Sequence, residues 1–143
     1  MNVNECFDKG LLKRERKSYE KALRSVQAAK NKLKLSKRCL EAKIYVDSIL
    51  DSYAAMFHAA RALLYKDGIV EKSHYALFVY TKEVYSDKLE PRFINELNTL
   101  RLERHGLVYG LEDSEVEESE ARDVLAVAEE FIKAIEKILG IKK

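Results

Sequence analysis

Residues that break helices are scarce in this chain. Its 143 residues include five glycines and one proline, whereas apolar residues make up 47%. The apolar positions recur at spacings of three and four over long stretches, which is the period of an α-helix and not of a strand. A sandwich of short strands would need turn residues far more often. The sequence therefore predicts an all-α fold, a helical bundle of about five helices arranged up and down.

The predicted helices begin and end at recognisable signals. Ser18 and Ser73 are suited to cap helix N-termini, and Ser114 with Glu117 forms a capping box. A bend is predicted at 36–38, although neither glycine nor proline forces one there. The predicted segments are a short amphipathic turn or helix at about 4–14 and helices at about 19–35, 38–66, 74–85, from Pro91 to about 109, and 115–139.

Length and composition limit the class of protein. The chain suits one domain, 1–143, with 1–15 as an N-terminal basic extension or short helix and a core at about 16–139. It contains neither a run of eighteen apolar residues nor the basic-then-apolar layout of a signal peptide. Cys6 and Cys39 lack metal-ligand or disulfide spacing, which predicts two buried or half-buried thiols. We expect a cytoplasmic protein that does not act at a membrane and uses no metal or cofactor.

Charge is distributed unevenly along the chain, although the net charge is only +2. Residues 1–38 contain twelve Lys or Arg against four Asp or Glu, while residues 111–139 contain ten acids against three bases. The basic stretch could contact nucleic acid or an acidic partner. Alternatively, the two stretches are solvated faces that complement each other within the fold.

Two polar side chains interrupt the apolar pattern of residues 53–64. His58 and Arg61 are three residues apart on a predicted helix, so both can face one side of it. The small residues around them permit close helix packing, either inside the bundle or between two copies. The pattern alone leaves open whether His58 and Arg61 bind a ligand or form an exposed polar edge.

A second segment, residues 101–110, gathers cationic and proton-transferring side chains near a helix end. Arg101, Arg104 and His105 share one helical side, and Tyr109 follows one turn later. A guanidinium can grip phosphate through two parallel hydrogen bonds, and an imidazole can transfer protons near neutral pH. The alternative is that Arg101 and Arg104 pair with carboxylates such as Glu103 or those of the acidic last helix.

Together these segments resemble the HEPN family of small helical proteins. Residues 53–64 are similar to the family helix in which a Tyr-x-Ala-Met/Phe pattern precedes Ala-Ala-x-Ala-Leu-Leu. The element Lys72, Ser73 and His74 resembles the short Lys-x-His motif that opens the family's next helix. The resemblance covers about residues 16–139, which is nearly the whole chain.

The resemblance also implies where a functional site would lie. Ribonuclease-type members carry an Arg, then a polar residue, and a His four to six positions past the Arg; Arg104 and His105 match the first two. Tyr109 stands where the trailing His would fall. Tyrosine hydroxyls in general ionise at about pH 10 and are poor proton shuttles at neutral pH. The resemblance thus implies Arg104, His105 and Tyr109 as catalytic candidates, and Arg101, Arg104, His105, Tyr109, Arg61 and His58 as nucleotide- or RNA-binding residues.

Three functional hypotheses follow from the resemblance. The leading one is a homodimeric nucleotide- or RNA-binding regulatory module that is the partner of a minimal nucleotidyltransferase in a toxin–antitoxin-like pair. The first alternative is a toxin that cleaves RNA without metal at a cleft between two subunits. The second alternative is a helical dimerisation scaffold in which these polar residues have no nucleotide role.

Overall fold

The computed structural model describes residues 1–110 and 115–141. Within these residues the chain forms six α-helices and one short antiparallel sheet of two strands, which confirms the predicted all-α helical bundle. None of the helices described is long and apolar enough to cross a membrane. In chain order the elements are α1 (Val3–Asp8), β1 (Leu12–Arg14), α2 (Tyr19–Glu41), α3 (Tyr45–Asp67), β2 (Ile69–Glu71), α4 (His74–Tyr85), α5 (Pro91–Tyr109) and α6 (Glu118–Leu139).

Helices α2 and α3 form an antiparallel hairpin, and its turn lies later than predicted. Helix α2 continues to Glu41, so the bend predicted at 36–38 is wrong. Ser36 is fully buried inside the helix, and its hydroxyl lies 2.7 Å from the Ser52 hydroxyl of α3. The chain reverses at residues 42–44 instead, where Lys43 adopts a left-handed φ of 64°. The serine hydroxyls join α2 to α3 and leave α2 unbroken.

Most predicted helix starts are confirmed. The Ser18 and Ser73 hydroxyls accept hydrogen bonds from backbone amides three residues further on, at 3.1 and 3.0 Å. Pro91 is at the start of α5. Ser114 of the predicted capping box lies outside the described residues, and Glu117 makes no side-chain cap to α6.

The two-stranded sheet was not anticipated from the sequence. The prediction of a helix or turn over 4–14 is right for α1 and wrong for residues 12–14, which form β1. Strand β1 pairs with β2 in a register that sets Leu12 opposite Glu71. Gly68 ends α3 with φ 75°, and a Cβ there would lie 2.6 Å from the Glu15 carbonyl oxygen. Only glycine fits this turn without strain, and the turn delivers Glu71 beside α3.

The core surrounds α3, which contacts α2, α4, α5, α6 and β2. Helix α6 buries its apolar stripe against this core, and it also forms ion pairs with α2. Lys30 lies 2.9 Å from Glu136, and Lys37 lies 2.8 Å from Glu129. The basic and acidic stretches of the sequence therefore do complement each other, although these pairs engage only part of the basic stretch. Cys6 is buried and Cys39 half-buried, both as free thiols, as predicted.

Candidate functional site

A cleft of about 370 Å³ opens between α2, α3, α4 and α5. Three cationic side chains from three different helices line it, namely Lys32, Arg61 and Arg104. Two imidazoles join them, and the remaining wall is largely apolar or aromatic: His58, His74, Leu50, Tyr53, Ala54, Phe57 and Val108. We refer to this cavity as the cationic cleft. Cations around an apolar floor suit an anionic group carried on a less polar body.

His74 is fixed at the first residue of α4 by contacts to two aromatic rings of α3. Its Nδ1 shares a hydrogen bond of 2.7 Å with the Tyr53 hydroxyl, and its ring stacks on Phe57 with centroids 4.2 Å apart. Burial lowers the pKa of His74, and the guanidiniums of Arg104, Arg61 and Arg101 lower it further. Burial raises the pKa of Tyr53 to about 12. At neutral pH both groups are therefore uncharged.

Arg61 is held in place on two sides. Its Nε donates to the Glu71 carboxylate at 2.6 Å, and its guanidinium carbon lies 4.5 Å from the centroid of the Phe57 ring. Glu71 is on β2, so the short sheet determines where this carboxylate stands. Within the described parts of the chain no other acceptor bonds Arg61. Its terminal nitrogens are therefore available to a ligand from a fixed position.

His58 lies one helical turn before Arg61 and is also uncharged at neutral pH. Burial lowers its pKa, and the positive charges of Arg61 and Lys32 add to the effect. Its backbone carbonyl accepts a hydrogen bond of 2.6 Å from Ser25, which ties α2 to α3 beneath the side chain. A histidine held neutral by burial and nearby cations gains a favourable partner when an anion enters.

Arg104 and Arg101 differ in what they contact. Arg104 is half-buried and reaches the cationic cleft, and across residues 1–110 and 115–141 no carboxylate lies within ion-pair distance of it. Arg101 instead donates to the Asn98 side chain at 2.9 Å and lies 5.1 Å from the centroid of the Tyr75 ring. Neither guanidinium pairs with Glu103 or with the described part of α6, so the alternative of structural ion pairs gains no support.

His105 and Tyr109 lie on the outer face of α5. Their ring centroids are 5.1 Å apart, and Tyr109 is 65% exposed. His105 directly follows Arg104 in sequence, and Tyr109 directly follows Val108; both preceding residues line the cleft. One residue along an α-helix corresponds to a rotation of about 100°, which turns His105 and Tyr109 away from the cavity. Of the six residues predicted to bind nucleotide, the fold therefore brings together three, His58, Arg61 and Arg104.

The family model of the HEPN domain matches residues 18–138, most of the chain. The chain belongs to the HEPN family. A curated relative from Methanocaldococcus jannaschii, named "Putative toxin MJ0605", is 29% identical over 136 residues, which cover 92% of this chain and 96% of the relative. The resemblance read from the sequence motifs is thereby confirmed.

The HEPN motifs converge on the cationic cleft from different elements. The helix motif supplies His58 and Arg61, the Lys-x-His element supplies His74, and the second segment supplies Arg104. Sequence reasoning did not select Lys32 or the pair of Tyr53 and His74 for the site. Lys32 is distant in sequence from the other cleft residues, and the α2–α3 hairpin brings it to the cleft. In the sequence, only its helical spacing from Lys21 and Arg24 indicated that it shares a basic face with them.

Proposed function

We propose that this HEPN protein is a cytoplasmic nucleotide- or RNA-binding module of a toxin–antitoxin-like pair, with the cationic cleft as its phosphate site. In this proposal Arg104 and Arg61 hold phosphate oxygens through paired hydrogen bonds, and Lys32 adds a third positive charge. The imidazoles of His58 and His74 approach the same anion. The name of the Methanocaldococcus relative supports the toxin-like part of the proposal.

The observation that carries the proposal is the state of Arg104. A half-buried guanidinium facing a cavity normally has a carboxylate partner, because leaving water without one is unfavourable. Among the described residues Arg104 has none, while two further cations share its cavity. Glu71 offsets the charge of Arg61, whereas Arg104 and Lys32 have no ion-pair partner among the described residues. A bound phosphate would relieve the repulsion between these two cations.

Binding fits the described cleft better than cleavage does. Metal-independent cleavage of RNA needs a base for the 2′-hydroxyl and an acid for the leaving oxygen. His58 and His74 both have lowered pKa values in the free protein, which favours the role of a base for each and disfavours that of an acid. Tyr109 and His105 lie outside the cleft of the single chain.

The proposal includes a homodimer. Helix α5 exposes a face bearing Leu102, His105 and Tyr109, of which Leu102 is 60% exposed and Tyr109 65%. Exposed apolar side chains beside an arginine and a tyrosine are typical of an interface. A second copy packed on this face would bring its Tyr109 and His105 towards the first copy's Arg104. The minimal nucleotidyltransferase partner rests on the family resemblance.

A binding experiment tests the proposal. Thermal shift and calorimetry would be run with AMP, ATP and short RNA, on the wild type, Arg104→Gln and Arg101→Gln. We expect ligand to raise the melting temperature of the wild type, since it binds only the folded state. Arg104→Gln should abolish the shift, and Arg101→Gln, which keeps the cleft intact, should retain most of it. If no ligand shifts any variant and Arg104→Gln only weakens the dimer, the scaffold hypothesis replaces this one.

Endoribonuclease activity is the second candidate function, and the presence of two imidazoles in the cavity that Arg104 enters favours it. The protein would be incubated with an RNA pool in EDTA, beside Arg104→Gln and His74→Gln. Cleavage that both substitutions remove would establish an enzyme. Intact RNA under conditions in which the same RNA binds would establish the binding module.

A further inference from the structure

A second cavity of about 310 Å³ adjoins the cationic cleft. Lys21 and Arg24 of α2 stand on one wall, and Tyr65 closes the far end. His58 and Arg61 line this cavity as well as the cationic cleft, so the two share a wall. Arg61 also lines a third, smaller cavity of about 220 Å³ with Lys72. The basic surface is therefore continuous and extends beyond the cleft on both sides of Arg61.

The second cavity and the cleft form one groove along the α2–α3 hairpin. On α2 the residues Lys21, Arg24, Ala28 and Lys32 recur at spacings of three and four, which sets them on one face. The antiparallel hairpin places α3 residues 54, 58, 61 and 65 opposite them. From Lys21 to Lys32 the groove extends about 16 Å, since an α-helix rises about 1.5 Å per residue. We call this surface the hairpin groove.

The carboxylates that pair with Lys21 and Arg24 hold these two cations only weakly, in contrast to the close pair of Arg61 with Glu71. Arg24 contacts Glu20 at 2.7 Å and Lys21 contacts Glu15 at 3.9 Å, but the side chains of Arg24 and Glu20 are both 76% exposed. Such exposed pairs contribute little to stability and exchange readily with other anions. At the other end Asp51 lies near Lys32, and burial raises the pKa of that carboxyl. A phosphate chain can therefore compete for Lys21 and Arg24.

We propose that the hairpin groove is a second phosphate-binding segment of the site, and that the ligand is a single strand of nucleic acid several nucleotides long. This inference rests on the proposed function, because the strand would also occupy the cationic cleft. One nucleotide fills the cleft at Arg104 and Lys32. The next phosphates of a strand pass Arg61 and then reach Arg24 and Lys21.

The dimensions favour one strand over two. Packed helices lie about 8–10 Å apart, so the valley between α2 and α3 is narrower than a nucleic-acid duplex. Its floor is polar where the Ser25 hydroxyl bonds the His58 carbonyl, and its walls carry long, adaptable cations. Such a groove follows a backbone and reads no base sequence.

The test compares ligands of different length on matched charge variants. Fluorescence anisotropy would measure a labelled 12-nucleotide RNA, the same sequence as a duplex, and a dinucleotide. The test variant is Lys21→Gln/Arg24→Gln. The control is Lys34→Gln/Arg38→Gln, which removes the same charge from exposed α2 positions that line none of these cavities. Arg104→Gln reports on the cationic cleft.

We expect Lys21→Gln/Arg24→Gln to weaken binding of the 12-nucleotide RNA roughly tenfold and to reduce its log–log salt slope by about 1.4, which is two single-strand phosphate contacts. Dinucleotide affinity should be unchanged, the control should lose under threefold, and the duplex should bind more weakly than the strand. Equal losses in test and control, or a duplex that binds as well as the strand, would overturn the inference while leaving Arg104-dependent binding standing. Absence of any Arg104-dependent binding would instead remove the proposed function and the inference with it.

Discussion

The Tyr53 hydroxyl and the Nδ1 atom of His74 share a hydrogen bond of 2.7 Å that joins the middle of α3 to the first residue of α4. The bond fixes the imidazole plane, and Nε2 of the same ring makes no hydrogen bond to any described residue. The Arg104 guanidinium is close enough to lower the pKa of His74. His58 has a different set of cationic neighbours, Arg61 and Lys32. The two histidines therefore report on different sides of the cavity.

NMR titration of the two histidines should reveal this arrangement. Both should titrate below the ordinary histidine pKa of about 6.5. Arg104→Gln should raise the pKa of His74 more than that of His58, because the Arg104 guanidinium lowers the pKa of His74, whereas Arg61 and Lys32 are the cations that lower that of His58. Arg61→Gln should raise both, since both are near Arg61. Equal movement of both histidines in Arg104→Gln would contradict the geometry described for the cleft.

Affinity for RNA should increase as the pH falls from 8 to about 5.5. A bound phosphodiester favours the protonated imidazole, so the pKa values of His58 and His74 are higher in the complex than in the free protein. RNA binding is therefore coupled to proton uptake. The affinity begins to increase when the pH falls below the histidine pKa values of the complex, and it stops increasing below those of the free protein. Anisotropy at fixed ionic strength measures it. The profile should flatten in the His58→Gln/His74→Gln double variant, and a flat profile for the wild type would refute the role given to the imidazoles.

Ser36→Ala should destabilise the fold although it removes a single oxygen. The Ser36 hydroxyl lies 2.7 Å from the Ser48 carbonyl and 2.7 Å from the Ser52 hydroxyl, all of them buried. Losing it leaves the buried Ser52 hydroxyl without its hydrogen-bond partner, which costs about 1–3 kcal/mol. Urea unfolding would measure the change. Ser119→Ala, at an exposed position of α6, should change the free energy of unfolding by less than about 0.5 kcal/mol.

Lys30→Ala should be more destabilising than Lys37→Ala. Glu136 has a side chain that is only 4% exposed, and Lys30 Nζ lies 2.9 Å from its Oε2, which has no other partner among the described residues. Removing Lys30 leaves the buried Glu136 carboxylate without its cation, which we expect to lower the free energy of unfolding by about 2 kcal/mol. This cost is below that of breaking a fully buried pair, because Lys30 is itself 40% exposed. Lys37 faces the more exposed Glu129, so its loss should cost less than about 1 kcal/mol. Similar costs for the two would mean that water reaches Glu136.

Helix identity could be predicted from the sequence, and helix boundaries only in part. Ser18, Ser73 and Pro91 act locally, so their signals predicted helix starts correctly. The end of α2 depends on Ser36, a residue that favours a turn in isolation but finds hydroxyl partners on α3. Tertiary contact decided that boundary, and no local pattern records it.

Site residues that lie on one helix could be predicted from their spacing in the sequence. Those that come together only through the packing of several helices could not. The spacing of His58 and Arg61 along α3 is enough to set them on one face. Arg104 and His105, however, are adjacent in sequence, and a rotation of one residue places the first in the cleft and the second outside. That difference depends on how α5 rolls against α3 and α4, which periodicity alone does not specify.

The pairing of β1 with β2 has a practical consequence for how this domain is handled. The family match begins at residue 18, after the strand Leu12–Arg14 that pairs with Ile69–Glu71. A protein trimmed to the family borders would leave that second strand with an open edge and loosen the carboxylate that braces Arg61. Such a fragment would keep every residue of the family motifs, but the Arg61 guanidinium would no longer be held in position. Loss of ligand binding in a trimmed protein would therefore say nothing about the whole chain.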